Sequence, residues 1–385
     1  MTGVSWLPTG FRAAGVTAGL KHSGRPDLAL IVNDGPSDAA AGVFTANRVK
    51  AAPVIWTQQV LTGGRLDAVV LNSGGANACT GPAGFADTHR TAEAVANELG
   101  TGAARVAVCS TGLIGVRLPM HLLLPGIASA AAALSTDGGA DAAEAIRTTD
   151  TVAKTATAGG QGWSVGGMAK GAAMLAPALA TMLAVVTTDA VADSATLDDV
   201  LRAATAESFD RVDTDGCMST NDTVLLLASG ASGVMPSRVD LQAAVSAVCA
   251  SLARQMVGDA EGASKDIEIS VVGAATVADA LEAARAVGRS NLLKCALHGN
   301  DPNWGRVLAA VGTTQAAFEP DELDVSINGV QVCRAGAPGD DRDLVDLSGR
   351  AVQIVVDLHA GSETATLWTS DLTAEYVHEN SAYST

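Results

Sequence analysis

The amino-acid sequence predicts a mixed α/β protein with more than one domain. Apolar runs rich in β-branched residues alternate with segments whose apolar residues recur every three or four positions, the pattern of strands packed against helices. A length of 385 residues is long for a single hydrophobic core. A hydrophobic content of 48% with 17% charged residues is typical of a packed globular chain and excludes extensive disorder.

Seven short apolar runs are predicted to be β-strands because they combine branched residues with flanking turn signals. They cover residues 28–32, 68–71, 106–109, 182–188, 223–228, 267–272 and 352–358. Residues 162–166 match the G-x-S-x-G pattern of hydrolase nucleophile elbows, but that motif needs a strand before it and a helix after it. Glycines on both sides predict a strand here instead.

Four segments have the apolar period of an amphipathic helix: residues 87–99, 196–208, 240–256 and 276–287. The third is the clearest, with Leu241, Val245, Val248, Leu252 and Met256 along one stripe. Asp240 is predicted to be its N-cap. Such stripes are more often core than binding surface, so we assign them to packing.

Two glycine-rich connectors, residues 135–140 and 334–342, interrupt the chain, and the strands around the second alternate in a more polar pattern. We therefore expect a first domain over residues 1–274 and a smaller second domain over residues 275–385. No repeat of fixed period is present.

Charge and cysteine usage exclude several classes of function. The formal charge of −17 and an aromatic content of 3% disfavour binding to nucleic acid or to anionic membranes. The six scattered cysteines form no C-x-x-C pair, and no histidine spacing suits zinc, so we expect reduced thiols and no metal site. Residues 1–8 lack the pattern of a signal peptide, and no apolar run approaches the ~20 residues of a membrane span. These features predict a cytoplasmic protein.

A candidate nucleophile lies at Thr181, where small residues run directly into a predicted strand. Cleavage between Ala180 and Thr181 would leave one residue with both a hydroxyl nucleophile and an α-amine that can serve as its base. The amine has an unperturbed pKa of about 7.7–8.0, so part of it is free base near neutral pH. An Ala-Thr step is also ordinary strand composition, and both interpretations stay open on this segment alone.

Turns that follow two predicted strands are candidate parts of the same site. Residues 110–115 and 72–81 are rich in hydroxyl, amide and glycine residues, and strand ends of this kind face active sites in open α/β sheets. A hydroxyl and a neighbouring N–H could stabilise an oxyanion there, although a plain Ser-Thr-Gly turn is equally compatible. Residues 100–105 lack the third glycine of a dinucleotide loop, and residues 213–216 are predicted to be an Asx turn instead of a calcium loop.

Taken together, the motifs resemble one known family over the whole chain. They are Asn72-Ser-Gly-Gly-Ala-Asn77-Ala-Cys-Thr80-Gly81, Ser110-Thr111-Gly112-Leu-Ile-Gly115, Thr148-Thr-Asp-Thr151, Lys170-Gly171 followed by Ala180-Thr181, Ser219-Thr-Asn-Asp222, Asp259-Ala-Glu261-Gly262, Asp301-Pro-Asn-Trp-Gly-Arg306 and Glu379-Asn380. In this order they resemble the glutamate N-acetyltransferase, or ornithine acetyltransferase, family of arginine biosynthesis.

The resemblance implies a layered α-β-β-α sandwich of the N-terminal-nucleophile type with a smaller C-terminal α+β domain. It also implies that Thr181 is the nucleophile and that cleavage gives an α chain of residues 1–180 and a β chain of residues 181–385, assembled as α2β2. Thr111 and Gly112 are similar to the family's oxyanion-hole pair. The residues similar to its substrate-binding positions are Thr148, Lys170, Thr181, Glu261, Asn380 and Thr385.

The implied reaction moves acetyl from N2-acetyl-L-ornithine to L-glutamate through an acetyl-Thr181 intermediate, with no cofactor. The small-molecule substrates would bind by charge, Lys170 with a carboxylate and Glu261 near an amine. Three alternatives stay open. An N-terminal-nucleophile aminopeptidase or amidohydrolase would pass the acyl group to water, a bifunctional enzyme would also accept acetyl-CoA, and a binding or assembly protein would do neither.

Overall fold

A computed structural model describes residues 5–175 and 182–382 of the chain. The described residues form two units, the first from residues 5–210 and 217–256 and the second from residues 211–216 and 257–382. The predicted cleavage site, Ala180 and Thr181, and the predicted substrate-binding Thr385 lie outside the described residues.

Two sheets form the centre of the first unit. Its strands are β1 (Phe11–Val16), β2 (Leu28–Asn33), β3 (Ala39–Phe44), β4 (Ala68–Asn72), β5 (Val106–Ser110), β6 (Lys154–Gly160), β7 (Trp163–Lys170), β8 (Leu183–Thr188) and β9 (Thr223–Ala228). The first sheet has the order β1-β2-β4-β5 and the second the order β3-β9-β8-β7-β6. Two pairs are parallel: β4 with β5, and β8 with β9.

The helices of this unit are α1 (Ala52–Val60), α2 (Gly81–Leu99), α3 (Met120–Ala132), α4 (Gly139–Ala145), α5 (Ser194–Ala206) and α6 (Arg238–Gly258). Apolar residues from facing sides of the two sheets share one core, for example Leu71 and Cys109 with Val185 and Leu227. The opposite face of the first sheet packs under α2 and α3. These contacts follow from β-strand alternation, which sends successive side chains to opposite faces.

Two helices cover the outer face of the second sheet. Helix α5 packs on β3, and α6 approaches β7 so closely that a Cβ at Gly167 would lie 3.0 Å from Val248 and 3.2 Å from Leu252. The unit is therefore a helix–sheet–sheet–helix sandwich, which confirms the predicted fold class.

Helix starts follow from side-chain caps. Asp193 accepts the Thr196 N–H at the start of α5 (2.7 Å). The predicted cap of α6 is wrong, because the helix begins at Arg238 and Ser237 Oγ accepts the Asp240 N–H (3.1 Å). Asp240 instead accepts the Ser237 hydroxyl (2.7 Å), so the two form a reciprocal capping pair.

The second unit is one mixed sheet with helices. Its elements are β10 (Asp266–Ala274), α7 (Val277–Gly288), α8 (Asn291–His298), α9 (Trp304–Val311), β11 (Asp324–Ile327), β12 (Val330–Arg334), β13 (Ala337–Pro338), β14 (Ala351–Asp357), β15 (Glu363–Ser370) and α10 (Ala374–Ala382). The strand order is β13-β12-β11-β14-β10-β15, with β10 parallel to β14.

One face of this third sheet is buried. Alternate residues of β10 and β14 are buried, and they share a core with α7, α8 and α9. The helices therefore cover one side of a largely antiparallel sheet, as expected for an α+β unit. The predicted boundary after residue 274 coincides with the end of β10, while the second unit comprises residues 211–216 and the chain from residue 257 onward.

Among the described helices, none combines the length and the apolar character that a membrane span requires.

Candidate active site

The turns after β4 and β5 lie side by side in the first unit. The strands are parallel, with Asn72 opposite Ser110, so their carboxyl ends meet at one edge of the sheet. Asn72 Nδ2 donates to Ser110 Oγ (2.6 Å), and the Thr111 N–H donates to the Asn72 carbonyl (3.0 Å). These bonds fix Thr111 at the sheet edge, as the sequence predicted for a strand-end turn.

Gly112 stands where only glycine fits. Its φ is +131°, and a Cβ there would lie 2.9 Å from the Cα and nitrogen of Gly75. Within the described chain, the Gly112 N–H has no acceptor. The turn therefore presents a backbone donor next to the Thr111 hydroxyl, which is the arrangement an oxyanion needs.

Lys170, on the second sheet, contacts this turn. It is the last residue of β7, is 2% exposed, and its Nζ donates to Thr111 Oγ1 at 3.5 Å. An ammonium can only donate, so Thr111 Oγ1 accepts this bond and its own hydrogen points elsewhere. Thr111 and Lys170 are distant in sequence and adjacent in space.

Asp150 organises the surroundings of Lys170. Its buried carboxylate accepts from Lys154 Nζ (2.6 Å), the Gly171 N–H (2.7 Å) and the Thr148 N–H (3.0 Å). Burial alone would raise the pKa of Asp150, but the charges of Lys170 and Lys154 outweigh it and hold this pKa well below its usual range. The ionised carboxylate thereby links the predicted binding residue Thr148 to the end of β7.

Lys21 adds a third cation to this region. Its ammonium donates to the carbonyls of Pro26 (3.0 Å) and Arg147 (2.5 Å). Burial, together with the charge of Lys170, lowers the pKa of Lys21 to about 8. Although the chain has a formal charge of −17, three lysines, Lys21, Lys154 and Lys170, lie near Asp150. The carboxylate of Asp27 also acts on Lys21, so the lysines are partly balanced, and an ammonium among them could bind a substrate carboxylate.

Asp222 lies at the start of the central strands of the second sheet. Its Oδ1 accepts the N–H of Met182 (3.0 Å), the residue that follows the predicted nucleophile. Burial raises the pKa of Asp222 well above its usual range, against the opposing effects of the Met182 N–H and the charge of Lys170. Asp222, Lys170 and Thr111 therefore belong to one neighbourhood.

In the second unit, Glu261 and Asn380 are in contact. Asn380 Nδ2 donates to Glu261 Oε2 at 2.8 Å, although 119 residues separate them. Helix α10 reaches this position because Gly262 has a φ of +60° and leaves no room for a side chain, a Cβ lying 2.4 Å from the Tyr376 nitrogen. The geometry pairs these two predicted substrate-binding residues.

The sequence missed three charged residues of the first unit: Lys21, Asp150 and Asp222. The two aspartates lie inside the family motifs at residues 148–151 and 219–222, so the sequence did mark their positions. The motifs alone did not indicate what either aspartate does. Lys21 had no sequence signal. Within residues 5–175 and 182–382, no group of three histidine, cysteine or acidic side chains has the geometry to hold a metal ion.

Comparison with known proteins assigns the family. The sequence model described as the ArgJ family matches residues 12–385. The chain belongs to the ArgJ family. The arginine biosynthesis bifunctional protein ArgJ of Streptomyces avermitilis is 67% identical over 375 residues, which are 97% of this chain and 98% of that protein. The protein of the same description from Mycobacterium tuberculosis is 59% identical, over 98% of this chain and 95% of its own.

A crystal structure of ornithine acetyltransferase complexed with ornithine, from Mycobacterium tuberculosis, is also similar. It is 65% identical and covers 45% of this chain and 94% of the solved chain, with a TM-score of 0.44. The family match and the full-length ArgJ relatives confirm the resemblance predicted from the motifs. As a member of the ArgJ family, the protein is an enzyme of arginine biosynthesis.

Proposed function

We propose that this ArgJ-family protein is a self-cleaving acetyltransferase that moves acetyl from N2-acetyl-L-ornithine to L-glutamate through an ester on Thr181. One observation supports the proposal above others. Met182, the residue covalently attached to Thr181, is hydrogen-bonded to Asp222 in the same unit that pairs Thr111 with Lys170 at 3.5 Å. A nucleophile at residue 181 would thus lie in the neighbourhood of a candidate oxyanion hole and a buried cation.

In the first step, Thr181 Oγ attacks the Ala180 carbonyl carbon. The new C–O bond replaces the C–N bond, so the acyl group moves to oxygen and residue 181 gains a free α-amine. Water then hydrolyses the ester and releases Ala180 as a carboxylate. The products are chains 1–180 and 181–385, which we expect to stay together as α2β2.

In the transfer step, the Thr181 hydroxyl attacks the acetyl carbonyl while the α-amine accepts its proton. The amine then returns the proton to the departing ornithine nitrogen. The Thr111 hydroxyl and the Gly112 N–H hold the oxyanion, and each such donor contributes about 2.7–4 kcal/mol in other enzymes. The amine of glutamate next attacks the acetyl ester and regenerates the Thr181 hydroxyl.

The proposed substrate-binding roles rest on the charges of the residues within each unit. Lys170 and Thr148, set by Asp150, would hold the α-carboxylate that acetylornithine and glutamate share. Glu261, with Asn380 beside it, would face a substrate amine, and Thr385 completes the proposed set. The reaction needs no cofactor in this scheme, and we place it in the cytoplasm.

Intact mass of the freshly purified protein under denaturing conditions tests the cleavage. We expect two fragments that meet between Ala180 and Thr181. Thr181→Ala should remain one chain of 38.5 kDa without transferase activity, while Thr181→Ser, which keeps a hydroxyl, should still be cut. An active Thr181→Ala enzyme would refute the nucleophile.

Steady-state kinetics test the transfer. A covalent acetyl-enzyme predicts parallel double-reciprocal lines when both substrates are varied, and intersecting lines would exclude it. Release of acetate without glutamate would indicate a hydrolase instead. Because the ArgJ relatives are named bifunctional, we also propose acetyl-CoA as a second donor. Acetylglutamate formed from acetyl-CoA without acetylornithine tests this activity.

A further inference from the structure

A cavity of about 520 Å³ lies in the first unit between α1, the segment before it and the start of α2. It contains none of the proposed catalytic or substrate-binding residues. Its apolar walls come from Val49, Ile55, Pro82 and Phe85. Arg48 and Lys50 add two cations to the same cavity. The lining therefore matches a ligand that combines an apolar or aromatic part with negative charge.

The two cations of this cavity are not balanced by carboxylates. Lys50 Nζ donates to the uncharged amide of Gln58 (3.4 Å), and among the described residues neither cation forms an ion pair. Other exposed arginines of this unit do pair with a carboxylate, such as Arg12 with Asp34 (2.7 Å). In a chain with 41 acidic and 24 basic residues, two neighbouring cations without a countercharge are suited to an anionic ligand.

The segment that carries both cations is fixed by hydrogen bonds. Asn47 Oδ1 accepts the Val49 N–H (2.9 Å), and Asn47 Nδ2 donates to the Met218 carbonyl (3.1 Å). The Ala51 N–H donates to the Thr220 carbonyl (2.9 Å). Because these bonds hold the backbone on both sides of the cations, a ligand would find the cavity already formed, which lowers the cost of ordering it.

The turn after β4 connects this cavity to the proposed oxyanion hole. A Cβ at Gly112 would lie 2.9 Å from the Gly75 backbone, and the Gly115 N–H donates to the Ala78 carbonyl (2.9 Å). The next residue, Cys79, lines the cavity. An extended chain spans at most about 3.3–3.6 Å per residue, so the four steps from Gly75 to Cys79 cover at most about 14 Å.

We propose, on the basis of the second donor proposed above, that this cavity binds the nucleotide end of acetyl-CoA. Arg48 and Lys50 bind its phosphates, and the apolar wall around Phe85 packs against the adenine. The pantetheine arm between phosphate and sulfur has about twelve bonds, the length of four extended residues or about 14 Å. The arm is thus long enough to bring the thioester to Thr111 and Gly112 while the phosphates stay in the cavity.

The chemistry is that of the proposed transfer with a thiol as the leaving group. The acetyl C–S bond breaks, a bond forms between the acetyl carbon and the Thr181 oxygen, and the hydroxyl proton leaves with the sulfur of CoA. Glutamate then takes the acetyl group as before. Acetylornithine has no phosphates and needs no nucleotide site, so mutation of the cavity should separate the two donors.

Steady-state kinetics of the double variant Arg48→Gln/Lys50→Gln test the site. We expect the KM for acetyl-CoA to rise by at least about tenfold, because two charged hydrogen-bond donors to phosphate are lost. Self-cleavage and kcat with acetylornithine should stay within about twofold of the wild type. Arg202→Gln/Arg254→Gln is the matched control, since it removes two exposed cations of the same unit and changes the net charge equally. Its KM for acetyl-CoA should stay near that of the wild type.

Acetylpantetheine, a donor without the nucleotide, makes the comparison specific. The wild type and the Arg48→Gln/Lys50→Gln variant should use it equally well. If the KM values for acetyl-CoA and acetylpantetheine rise together, or if transfer from acetylornithine falls as much, the cavity does not bind the nucleotide and the inference is wrong. An altered assembly with an unchanged KM for acetyl-CoA would show a subunit contact instead, which also overturns it.

Cys79 reports binding without any turnover, because it is exposed and lines the cavity. Saturating desulfo-CoA, which lacks the reactive thiol, should slow iodoacetamide labelling of Cys79 by at least about tenfold and leave the exposed Cys217 and Cys295 unchanged. Equal labelling of Cys79 with and without the probe would contradict the proposal. A wild type that accepts acetylornithine but never acetyl-CoA would overturn this inference alone. Protection of Cys79 in a protein that transfers no acetyl from acetylornithine would support the nucleotide site and refute the proposed function.

Discussion

The negative charge of the Asp150 carboxylate stabilises two buried ammonium groups, those of Lys154 and Lys170. Lys154 is 0% exposed and Lys170 is 2% exposed, and removal of the Asp150 charge would take a buried countercharge from both ammonium groups. Breaking a buried pair in this way costs about 3–5 kcal/mol in other proteins. The same carboxylate also holds the Thr148 and Gly171 N–H groups, so stability and substrate binding depend on it together.

We therefore predict that Asp150→Asn lowers the urea midpoint strongly at pH 7. The folded-state pKa of Asp150 is depressed, so its stabilising effect is present above the unfolded value of about 3.9 and disappears as the pH falls through the lower folded value. The difference between wild type and variant should be constant from about pH 7 to 5 and shrink below about pH 4.

Asp198→Asn is the matched control. Asp198 pairs with Arg202 at the same sequence spacing as the Asp150–Lys154 pair, but the two side chains are 40% and 61% exposed. Exposed pairs contribute about 0–1 kcal/mol, so this variant should change the midpoint little at any pH. Equal effects of the two variants would contradict the assigned role of Asp150.

Gly112→Ala should abolish most of the transferase activity. The added Cβ would approach the Gly75 backbone to 2.9 Å, so the Gly112 N–H must move away from its present direction. Loss of one oxyanion donor lowers kcat by about 10²–10³-fold. Gly115→Ala in the same turn, with a φ of +89° but no atom within 4 Å of the added Cβ, should lose much less. Similar kcat values for the two variants would contradict the predicted oxyanion hole.

Individual elements explain where sequence patterns succeed and fail. Buried central strands were predicted within a few residues, for example β9 at Thr223–Ala228, because an uninterrupted branched apolar run has few other stable conformations. Strand β6 was missed, since its Thr, Ala and Gly residues alternate only weakly and it pairs on one side alone, with β7. Helix α3 was missed because it contains Pro125 and has no clear polar stripe.

A helix start can be predicted from the sequence when a capping residue directly precedes the apolar stripe of the helix. Thr276 caps α7 by accepting the Asp279 N–H (3.1 Å), as the predicted start at 276 implied. We predict that Thr276→Ala lowers the stability of the second unit by about 1 kcal/mol, while Thr276→Ser keeps the cap and most of the stability. Urea unfolding followed by circular dichroism measures both, and an equal loss would exclude the cap as the cause.

At the scale of the whole molecule, the six cysteines are unbridged thiols in two environments. Cys79, Cys217 and Cys295 are exposed, and Cys109, Cys249 and Cys333 are buried. Burial raises the pKa of Cys109 and Cys249 to about 12, so these thiols are both inaccessible and protonated near neutral pH.

Iodoacetamide should therefore modify the three exposed cysteines of the native protein and all six after denaturation. Peptide mapping by mass spectrometry measures both patterns. Rapid labelling of Cys109 in the native protein would contradict the packing between the two sheets of the first unit, where this residue is buried.

The sequence by itself determined the fold class, the main strands, the turn with Asx hydrogen bonds at residues 213–216 and the family. These depend on local periodicity, on turn chemistry such as the Gly216 N–H to Asp213 bond (3.0 Å), and on the order of motifs. Only the tertiary structure decided that Lys170 reaches Thr111, that Asp150 lies between two lysines and that Asp222 holds Met182. Such contacts join residues distant in sequence, and their pKa values depend on burial and neighbouring charges, which a linear pattern does not contain.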